Sequence, residues 1–572
     1  MSETSWTGRR WGARQGAADA EVEALKAALG IGALAARVLA ARGISGADAV
    51  RFLHPGHSDL LDPSGLLGMD RAIARIEAAL SGGEHLRLVT DYDVDGTTSC
   101  LILHAALDRR IVADSSAARV SYHIPDRMTE GYGLSERAVR TAADDGVHLI
   151  ITADIGVRDH VTVSLAKSLG VDVIVVDHHL PAGESVPVDA VAVVCPPQQG
   201  CTYANKALAA CGVSTKLATA LLARDPRRDA LLPSLLKLAA IGTVADIVDL
   251  STPENRAIVS LGLRELNRGP HAPGLAALLA VAGVKLGAIT AESLGFAIGP
   301  RINAAGRLQD ANAIVRLMRE RDAGAATEQA RAINALNSER RDIQAQMVLR
   351  AQKEVAGGPV PAFIVVGGPE EDGWHRGVNG IVAARIRDEF HRPCAVLSVL
   401  GALATGSIRS VPGVHAVRAL DGVSDLLVRY GGHPVAAGFT LQSVNIPAFA
   451  KRLAAFVSAH HDDDTLIPVE DYDVDADPQE CTLGVVADLA ALEPTGKGNP
   501  APRMAVTGAL SGVRFAKDRH AFGRVGSLQF VWWDGAPHLR GVSGNASLLG
   551  RLTRYEDRDG SVGVRLVVDD GR

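Results

Sequence analysis

The stretch Arg87-Leu-Val-Thr-Asp-Tyr-Asp-Val-Asp-Gly96 decides the fold class, because a short apolar run leads directly into alternating carboxylates. Two further runs have the same form: His148-Leu-Ile-Ile-Thr-Ala153 leads into Asp154, and Val171-Asp-Val-Ile-Val-Val176 leads into Asp177-His178-His179. Short β-branched runs that end in polar clusters are typical of buried parallel strands. Ligands bind beyond the carboxyl ends of such strands. We therefore expect an α/β fold in which these acids and imidazoles meet at one edge of a parallel sheet.

The length of 572 residues predicts several domains, and 47% hydrophobic with 22% charged residues is ordinary globular composition. A net charge of −6 does not indicate a nucleic-acid partner, so any phosphate-binding surface must be confined to one part of the protein. Five regions are expected: an N-terminal leader with helices (1–65), a parallel-sheet domain (66–260), a helical connector (261–355), a smaller α/β domain (356–462) and an all-β barrel or sandwich (463–572). The connector is expected to end in a long helix from about Ala325 to Glu354. The last region shows no helical pattern.

The six cysteines form no C-x-x-C pair, so we expect buried free thiols rather than a zinc site, in keeping with a cytoplasmic location. No window approaches about 18 uncharged apolar residues, and Met1 to Gln15 holds no apolar signal core, so no membrane association is expected. The run His460-His-Asp-Asp-Asp464 is read as a solvated linker rather than a metal site.

The acidic motif after the first strand is the strongest local signal. If this segment is extended, Asp91, Asp93 and Asp95 share one face, and Gly96 permits a sharp turn into a helix expected to begin at Thr98. The chain repeats the same five residues as Asp471-Tyr-Asp-Val-Asp475, where an alanine replaces the glycine and no helix is expected to follow. We interpret the second copy as a surface strand edge, because only the first copy has the strand and the glycine-helix turn around it.

The candidate ligands are carboxylates and imidazoles without thiolates. Asp246 lies among apolar residues, where an unpaired carboxylate is costly, and Asp249 is the competing candidate. Such a set suits Mn²⁺ or Mg²⁺ better than a structural zinc. Two such ions about 3.5–4 Å apart can activate a water molecule and stabilise the entering and leaving oxygens of a phosphoryl group.

The motifs Asp177-His178-His179 and Asp91 to Gly96 resemble those of the DHH phosphoesterase superfamily. Gly431-Gly-His-Pro-Val-Ala-Ala-Gly438 is similar to the glycine-rich motif of the DHH-associated domain, DHHA1. The ordered set over roughly residues 50–510 resembles the branch of bacterial single-strand-specific DNA exonucleases. Its other motifs are Ile124-Pro-Asp-Arg-Met-Thr-Glu-Gly-Tyr-Gly133, Arg301-Ile-Asn-Ala-Ala-Gly-Arg307, Trp374-His-Arg-Gly-Val-Asn-Gly-Ile-Val-Ala-Ala-Arg385, Gly406-Ser-Ile-Arg-Ser410 and Glu493-Pro-Thr-Gly-Lys-Gly-Asn-Pro500.

This resemblance implies a role for each matching residue. Two divalent ions would be held by Asp93, Asp95, Asp154, His178 and Asp246, with Asp154 as the bridge. Asp91 and Asp177 would lie beside the metals, His179 would face the scissile phosphate, and His433 would close the site from the second lobe. The terminal phosphate or the DNA backbone would be held by Arg127, Arg301, Arg307, Ser407, Arg409, Gly431 and Gly432, although a salt bridge is an equally good reading of each arginine taken alone.

The implied activity is processive 5′→3′ hydrolysis of single-stranded DNA to mononucleotides in repair and recombination. The implied partners are single-strand-binding protein and a RecQ-type helicase, acting with a monomeric enzyme. The C-terminal region would be an OB-fold, which departs from the family pattern after about residue 510. Its aromatic and basic residues would bind a strand or fill the barrel core: Arg514, Phe515, Lys517, Arg519, Phe522, Arg524, Phe530, Trp532 and Trp533.

Two other functions stay open at this point. Shorter DHH relatives cleave oligoribonucleotides or cyclic dinucleotides, and turnover of a dinucleotide but not of a long strand would favour that activity. A non-catalytic nucleic-acid scaffold predicts eroded ligands, whereas every carboxylate and both histidines are present here.

Overall fold

The computed structural model describes residues 4–127, 129–181, 183, 185–308, 310–557 and 559–572. Among these residues no single helix is long and apolar enough to cross a membrane, although one bent pair of helices, Asp19–Leu29 with Ala33–Ala41, passes the same test by length and composition alone. All six cysteines are free and buried, as predicted.

The N-terminal segment joins the far end of the chain. Its elements are β1 (Arg10–Ala13), α1 (Asp19–Leu29), α2 (Ala33–Ala41) and α3 (Gly46–Leu53). β1 pairs in parallel with the strand Val469–Tyr472. Leu34 and Leu39 are buried in the same hydrophobic core as Met504 and Trp532 of the C-terminal region. The first fifty residues therefore form part of the C-terminal unit, which their amphipathic pattern alone did not reveal.

The acidic motifs belong to a five-stranded parallel sheet, as predicted. Its strands lie in the order β3-β2-β4-β5-β6, with every neighbouring pair parallel. Leu88, Ile151 and Ile174 are fully buried, because helices cover both faces of the sheet. The elements are α4 (Met69–Ser81), β2 (His85–Thr90), α5 (Val94–Asp114), β3 (Arg119–His123), α6 (Glu136–Asp144), β4 (Leu149–Ala153), α7 (His160–Ser168), β5 (Asp172–Val176), β6 (Ala192–Val194), α8 (Ala210–Leu221) and α9 (Arg228–Ala245).

A helical region connects the two α/β lobes. Its last helix has 34 residues and is about 50 Å long at 1.5 Å per residue. Ile333 packs with the connector helices, whereas Met347 and Ala351 pack with the second lobe, so this helix spans both. The elements are α10 (Pro253–Arg268), α11 (Pro273–Val281), α12 (Ala291–Ser293), a π-helical turn (Leu294–Ile298), α13 (Gly299–Leu308), α14 (Asn312–Arg319) and α15 (Ala323–Ala356).

The second lobe is a smaller α/β unit with a mixed sheet. Its strand order is β10-β11-β9-β8-β7, in which only β7 and β8 run parallel. The elements are β7 (Ile364–Pro369), α16 (Asn379–Phe390), β8 (Cys394–Leu400), β9 (Leu403–Arg409), α17 (Ala416–Asp421), β10 (Leu427–His433), β11 (Ala436–Gln442) and α18 (Ile446–His460).

The C-terminal region is an OB-like barrel. Strands β14, β15, β16, β18 and β17 follow one another in the sheet, and β14 also pairs with β17, which closes it. Two helices within this region, α19 and α20, correct the expectation of no helix; the apolar run that forms α19 is too short to be told from a strand by its pattern. The elements are β12 (Val469–Tyr472), β13 (Val474–Ala476), α19 (Leu483–Ala490), β14 (Met504–Ala516), β15 (His520–Val525), β16 (Leu528–Trp532), α20 (Ala536–Leu539), β17 (Asn545–Glu556) and β18 (Val562–Gly571).

Candidate metal centre and phosphate cavity

The carboxyl ends of three parallel strands bring the predicted acids together. Asp91 follows β2, Asp154 follows β4 and Asp177 follows β5. Thr90 pairs with Ala153, and Ala153 pairs with Val176, so the three strands end at the same level. The three carboxylates therefore lie side by side at one edge of the sheet, where sequence reasoning placed them.

The next two aspartates reach this edge by a different route from the one expected. Asp93 is the N-cap of α5, and its side chain accepts a 3.0 Å hydrogen bond from the Gly96 N–H. Asp95 lies in the first helical turn, because the helix begins at Val94 rather than at Thr98. A Cβ on Gly96 would lie 2.3 Å from the carbonyl oxygen of Asp91. Glycine is thus required by close packing of the helix on the strand end, and not by an extended strand that turns sharply.

Asp154 occupies a strained turn. Its φ is 66°, in the left-handed region that non-glycine residues rarely adopt. It does not cap a helix, since α7 begins at His160 with Asp159 as its N-cap. The Tyr132 hydroxyl donates to the backbone carbonyl of Asp154 at 3.3 Å. Strain of this kind is found where the surrounding structure holds a functional group in place.

His178 lies at the middle of the cluster. Its Nε2 atom is 3.2 Å from a carboxylate oxygen of Asp154, 3.7 Å from one of Asp246 and 3.9 Å from one of Asp95. Asp95 also accepts hydrogen bonds from the N–H groups of Ala210 and Cys211, at 2.7 and 2.8 Å. These N–H groups belong to the N-terminus of α8, which favours negative charge.

The structure separates the two competing carboxylates near the end of α9. Asp246 is the C-cap of that helix and lies in the cluster with His178. Asp249 instead accepts hydrogen bonds from the backbone and the hydroxyl of Ser251, at 2.8 and 2.6 Å. The Asp249 carboxylate therefore stabilises the local turn and is not part of the cluster around His178.

The protein alone does not neutralise this set of acids. Burial, the main cause, and repulsion from neighbouring aspartates, the second cause, raise the pKa of Asp91 and Asp154 well above the usual range. The same effects raise the pKa of Asp246 to about 8. Burial would lower the pKa of His178, but the Asp246 and Asp95 carboxylates outweigh it and raise that pKa. These carboxylates would ionise at neutral pH only if a cation at the centre of the cluster compensated their negative charge.

The donor set fits divalent cations. Three groups of ligand atoms each lie within 4.8 Å of one another: Asp154 with His178 and His179, Asp95 with His178 and Asp246, and Asp91 with Asp93 and Asp154. Asp154 belongs to two of the groups, as a bridging ligand would. The buried Nε2 of His178 and one buried oxygen of Asp91 have no hydrogen-bond partner. Carboxylate and imidazole donors without thiolates suit Mn²⁺ or Mg²⁺.

Asp177 orients His179 at the edge of this centre. One of its oxygens accepts hydrogen bonds from the backbone N–H groups of His178 and His179 and lies 2.8 Å from Nδ1 of His179, and the other accepts from the Val157 N–H at 3.0 Å. Burial would raise the pKa of Asp177, but these hydrogen bonds and the two histidines lower it. A hydrogen bond donated by Nδ1–H of His179 to this carboxylate would leave Nε2 of His179 without that proton.

His433 brings the second lobe to the same place. It ends β10, and its ring stacks on that of His179 with centroids 6.4 Å apart and planes 19° apart. Burial, with Arg158 and the two other histidines, lowers the pKa of His433. The two lobes thus meet at the metal centre through neighbouring imidazoles.

A cavity of about 370 Å³ lies between the lobes next to the centre. Its lining includes three predicted phosphate-binding residues, Arg127, Ser407 and Gly431, together with Arg376 and Arg429. The Arg127 guanidinium lies 5.0 Å from the ring of Tyr92, which is part of the first acidic motif. Arg127 therefore connects this cavity, whose lining includes three arginines, to the first acidic motif.

Two more predicted arginines, Arg307 and Arg409, lie close to Arg127. Burial and the neighbouring Arg127 and Arg409 guanidinium groups lower the pKa of Arg307 to about 9. Gly380 lies so close to the Arg409 guanidinium that a Cβ there would be 2.8 Å from it. The Arg307 guanidinium donates to the Gly377 carbonyl, and the Arg409 guanidinium donates to the Ile408 carbonyl. Partly buried guanidinium groups gathered in this way suit the binding of an anion.

The remaining phosphate candidates lie differently. The Arg301 guanidinium donates to Asn334 and to the carbonyl groups of Ala297 and Val281, so it ties connector helices together. Gly432 has a φ of 151°, and a Cβ there would lie 2.4 Å from the carbonyl oxygen of Ala436. This glycine lets the β10–β11 hairpin close next to His433.

The C-terminal aromatic residues divide into two sets. Phe530 and Trp532 are buried in the barrel core. Phe515 and Trp533 are 41% and 51% exposed. The Arg540 guanidinium lies 5.5 Å from the ring of Phe515. Only the exposed set is available to a nucleic-acid strand.

Sequence reasoning missed several residues of the site. Tyr132, whose hydroxyl lies 3.4 Å from the ring nitrogens of His179, belongs to a motif that had been recognised, but no role was assigned to it. The same is true of Arg376, and Arg429 precedes the glycine-rich motif by two residues. A lone tyrosine or arginine carries no signal until the fold shows which cavity it lines.

Comparison with known proteins agrees with this geometry. The family model described as DHH family, N-terminal domain, matches residues 85–243, and that of the DHHA1 domain matches residues 357–459. The single-stranded-DNA-specific exonuclease RecJ of Bacillus subtilis is 38% identical over 495 residues, 86% of this chain and 60% of that protein. The protein of the same name from Dickeya dadantii is 35% identical over 536 residues, 90% of each chain.

Solved structures give the same result. The crystal structure of RecJ from Thermus thermophilus in complex with Mn²⁺ matches with a TM-score of 0.84 and 29% identity, over 98% of this chain and 79% of that one. The same protein in complex with Mg²⁺ matches with a TM-score of 0.77 and 28% identity, over 98% and 78%.

The fold and the site define a two-lobed protein of the DHH and DHHA1 class, with a centre for divalent metal ions at the edge of the first sheet. Within this class the chain belongs to the RecJ family.

Proposed function

We propose that this chain is a metal-dependent, processive 5′→3′ exonuclease that hydrolyses single-stranded DNA to mononucleotides in DNA repair and recombination. The observation that carries the proposal is the position of the basic cavity beside a centre for two divalent ions. An anion held in that cavity lies next to the groups that would hydrolyse the following phosphodiester. Membership of the RecJ family supports the same activity.

The proposed ligands are the residues that the cluster contains. Asp93, Asp95, Asp154, His178 and Asp246 would hold two Mn²⁺ or Mg²⁺ ions, and Asp154 would be the ligand common to both. When bound, these ions activate a water molecule and neutralise the phosphoryl oxygens. Asp91 adds negative charge beside them.

The remaining residues position the substrate. Asp177 fixes the tautomer of His179 through Nδ1, which leaves Nε2 available for the scissile phosphate. His433 stacks on that ring and so brings the second lobe against the site. Arg127, Ser407 and Gly431 contact the 5′-terminal phosphate, because they line the cavity.

The polarity and strand specificity follow from this arrangement. A cavity for a single terminal phosphate group selects a 5′ end, and Arg307 and Arg409 supply charge around it. Because the cavity lies between two lobes in contact through His179 and His433, we expect blunt duplex DNA to be excluded.

The partners and location belong to the proposal as well. An enzyme restricted to single strands needs strands that a helicase has opened, and it encounters them coated with binding protein. We therefore propose a RecQ-type helicase and single-strand-binding protein as partners of a monomeric enzyme in the cytoplasm, where the DNA is.

Product analysis of a 5′-labelled oligonucleotide tests the proposal. With Mn²⁺ or Mg²⁺ the first labelled product is expected to be the mononucleotide, and with chelator no product is expected. Asp154→Ala is the control that loses hydrolysis and keeps strand binding. Release of a labelled dinucleotide only, or degradation of blunt duplex as fast as single strands, would contradict the proposal.

A further inference from the structure

A second cavity lies between the connector and the barrel, at the end of α9 that Asp246 caps. Its volume is about 560 Å³. Its lining includes Ile247, which directly follows Asp246, and two cations, Lys497 and Arg551, with one carboxylate, Glu292. The proposed phosphate-binding residues Arg127, Ser407 and Gly431 do not line it.

An exposed aromatic ring forms part of this cavity. Phe296 is 82% exposed, although a phenyl group normally contributes to stability by burial. It lies on the π-helical turn Leu294–Ile298, between α12 and α13. Single π-helical turns of this kind occur often at functional sites. The ring is therefore displayed to the cavity at the expense of both packing and regular helix geometry.

The residue next to Asp246 is also unusual. Ile247 has a φ of 57°, a left-handed conformation that is a genuine outlier for a β-branched residue. Its side chain is 64% exposed and lines the same cavity. Strained backbone and exposed apolar side chains thus occur on two separate elements that border one space.

The loop that carries Lys497 is held rigidly. Arg256 is 1% exposed, and its guanidinium donates to the carbonyl groups of Leu492, Glu493 and Pro494. The Leu250 N–H donates to the carbonyl of Lys497 at 2.8 Å. The Lys497 side chain is exposed and lines the same cavity as Ile247, the residue after Asp246. A fixed backbone therefore presents a free ammonium group beside the metal centre.

The two cationic sites lie next to different ligand groups of the centre. The Arg127 guanidinium lies 5.0 Å from the ring of Tyr92, in the motif of the Asp91, Asp93 and Asp154 group. Lys497 shares its cavity with Ile247, the neighbour of Asp246 in the other group. A strand whose 5′ phosphate lies near Arg127 crosses the centre and leaves on the side of Lys497. At that point it meets a ring, an apolar side chain and two cations, which are the elements that bind single strands without reading their sequence.

We propose that this second cavity is the binding site for the DNA segment on the 3′ side of the scissile phosphodiester. A nucleobase stacks on Phe296 and contacts Ile247, and the adjoining phosphate pairs with Lys497 and Arg551. The motif Glu493 to Pro500 positions Lys497 for this contact. This assignment rests on the proposed exonuclease function, because it identifies residues that bind the substrate of that reaction.

Steady-state kinetics on a long 5′-phosphorylated oligonucleotide test the stacking contact. Phe296→Ala is expected to raise KM about tenfold, within the range of one base–aromatic contact, with little change in kcat. Phe296→Trp is expected to restore KM, and Phe296→Leu is not, because leucine is apolar but has no aromatic face. Val161→Ala, at an 84% exposed position on α7, is the matched control and is expected to behave as the parent protein.

The salt dependence of strand binding tests the phosphate contact. In an Asp154→Ala background, Lys497→Gln is expected to reduce the slope of log K against log salt by about 0.7, which is one counterion on a single strand. Phe296→Ala is expected to weaken binding without changing that slope. Lys451→Gln, on the exposed surface of α18, is the control for loss of a lysine elsewhere.

The outcomes separate this inference from the function on which it rests. If the parent protein fails to release mononucleotides, the proposed function is wrong. If it releases them, but Phe296→Leu equals Phe296→Trp in KM or Lys497→Gln keeps the parental salt slope, the assignment of this cavity is overturned.

Discussion

Two copies of the same five residues behave in opposite ways in this molecule. Asp91 to Asp95 and Asp471 to Asp475 both read Asp-Tyr-Asp-Val-Asp. In the second copy, Asp473 is 4% exposed and its carboxylate accepts two 2.9 Å hydrogen bonds from the Arg42 guanidinium, with Arg14 at 3.1 Å. The sequence predicted a surface strand edge for this copy. The structure instead buries its central aspartate in an ion pair with two arginines.

The difference lies in what neutralises the charge. The second copy carries its own cations, because arginines of the N-terminal segment pair with it. The first copy is surrounded by further carboxylates, and burial with their repulsion raises the pKa of Asp91, Asp95 and Asp154. Identical sequence thus builds an internal salt bridge in one place and a site for external cations in the other. The surrounding elements decide the function, and not the motif itself.

The largest expected effect comes from the last aspartate of each copy. Asp95→Asn removes a charge from the fully buried centre, and hydrolysis is expected to fall by more than about 100-fold. Asp475→Asn is the matched change, at an exposed position whose carboxylate accepts only a hydrogen bond from Tyr472. Single-turnover assays on a 5′-labelled strand measure both. Equal activity of the two variants would remove the distinction between the copies.

The middle aspartate of the second copy is expected to matter for stability. Asp473→Ala leaves Arg42, itself 4% exposed in its side chain, without its carboxylate, and the free energy of unfolding is expected to fall by about 3 kcal/mol. Urea denaturation measures the loss, and kcat of the folded fraction is expected to stay at the parental value. A loss of chemistry with unchanged stability would contradict this account.

Metal addition should stabilise the protein through the first copy alone. Mn²⁺ at about 100 times its dissociation constant is expected to raise the free energy of unfolding by about 2.7 kcal/mol. The increase is expected to vanish in Asp154→Ala and to persist in Asp473→Ala. Thermal melting with and without chelator gives both values, and a metal response that survives in Asp154→Ala would show that the ions bind elsewhere.

The metal-free protein should lose stability as the pH rises. The pKa of Asp246 is raised to about 8, so the folded state binds more protons than the unfolded state between about pH 4 and 8. His178 acts with the same sign, because its pKa is raised too. We expect chelated protein to melt lower at pH 8 than at pH 6, and Mn²⁺ to reduce that difference. Melting that rises with pH in chelator would contradict the shifts.

The smallest effect is expected at the first aspartate of the second copy. Asp471 is exposed, so Asp471→Asn should change the free energy of unfolding by less than about 0.5 kcal/mol and leave hydrolysis unaffected. Asp91→Asn, at the equivalent position, is buried beside the metal centre and should reduce hydrolysis. Denaturation and activity assays on this pair sharpen the comparison.

The sequence predicted the convergence of the site because strand ends in a parallel sheet share one edge. It did not predict that Asp93 and Asp95 enter a helix, since a close approach between Gly96 and Asp91 is invisible in a pattern. The sequence also did not predict that the N-terminal segment packs with the C-terminal barrel. No local pattern predicts that β1 pairs with a strand more than 400 residues away.

An anomalous-scattering map of crystals grown with Mn²⁺ locates the ions themselves. Two peaks are expected, one beside Asp95, His178 and Asp246 and one beside Asp91 and Asp93, with Asp154 in contact with both. No peak is expected at Asp471 to Asp475. A single peak at the second copy, or no peak beside Asp91, Asp93, Asp95, Asp154 and Asp246, would contradict it.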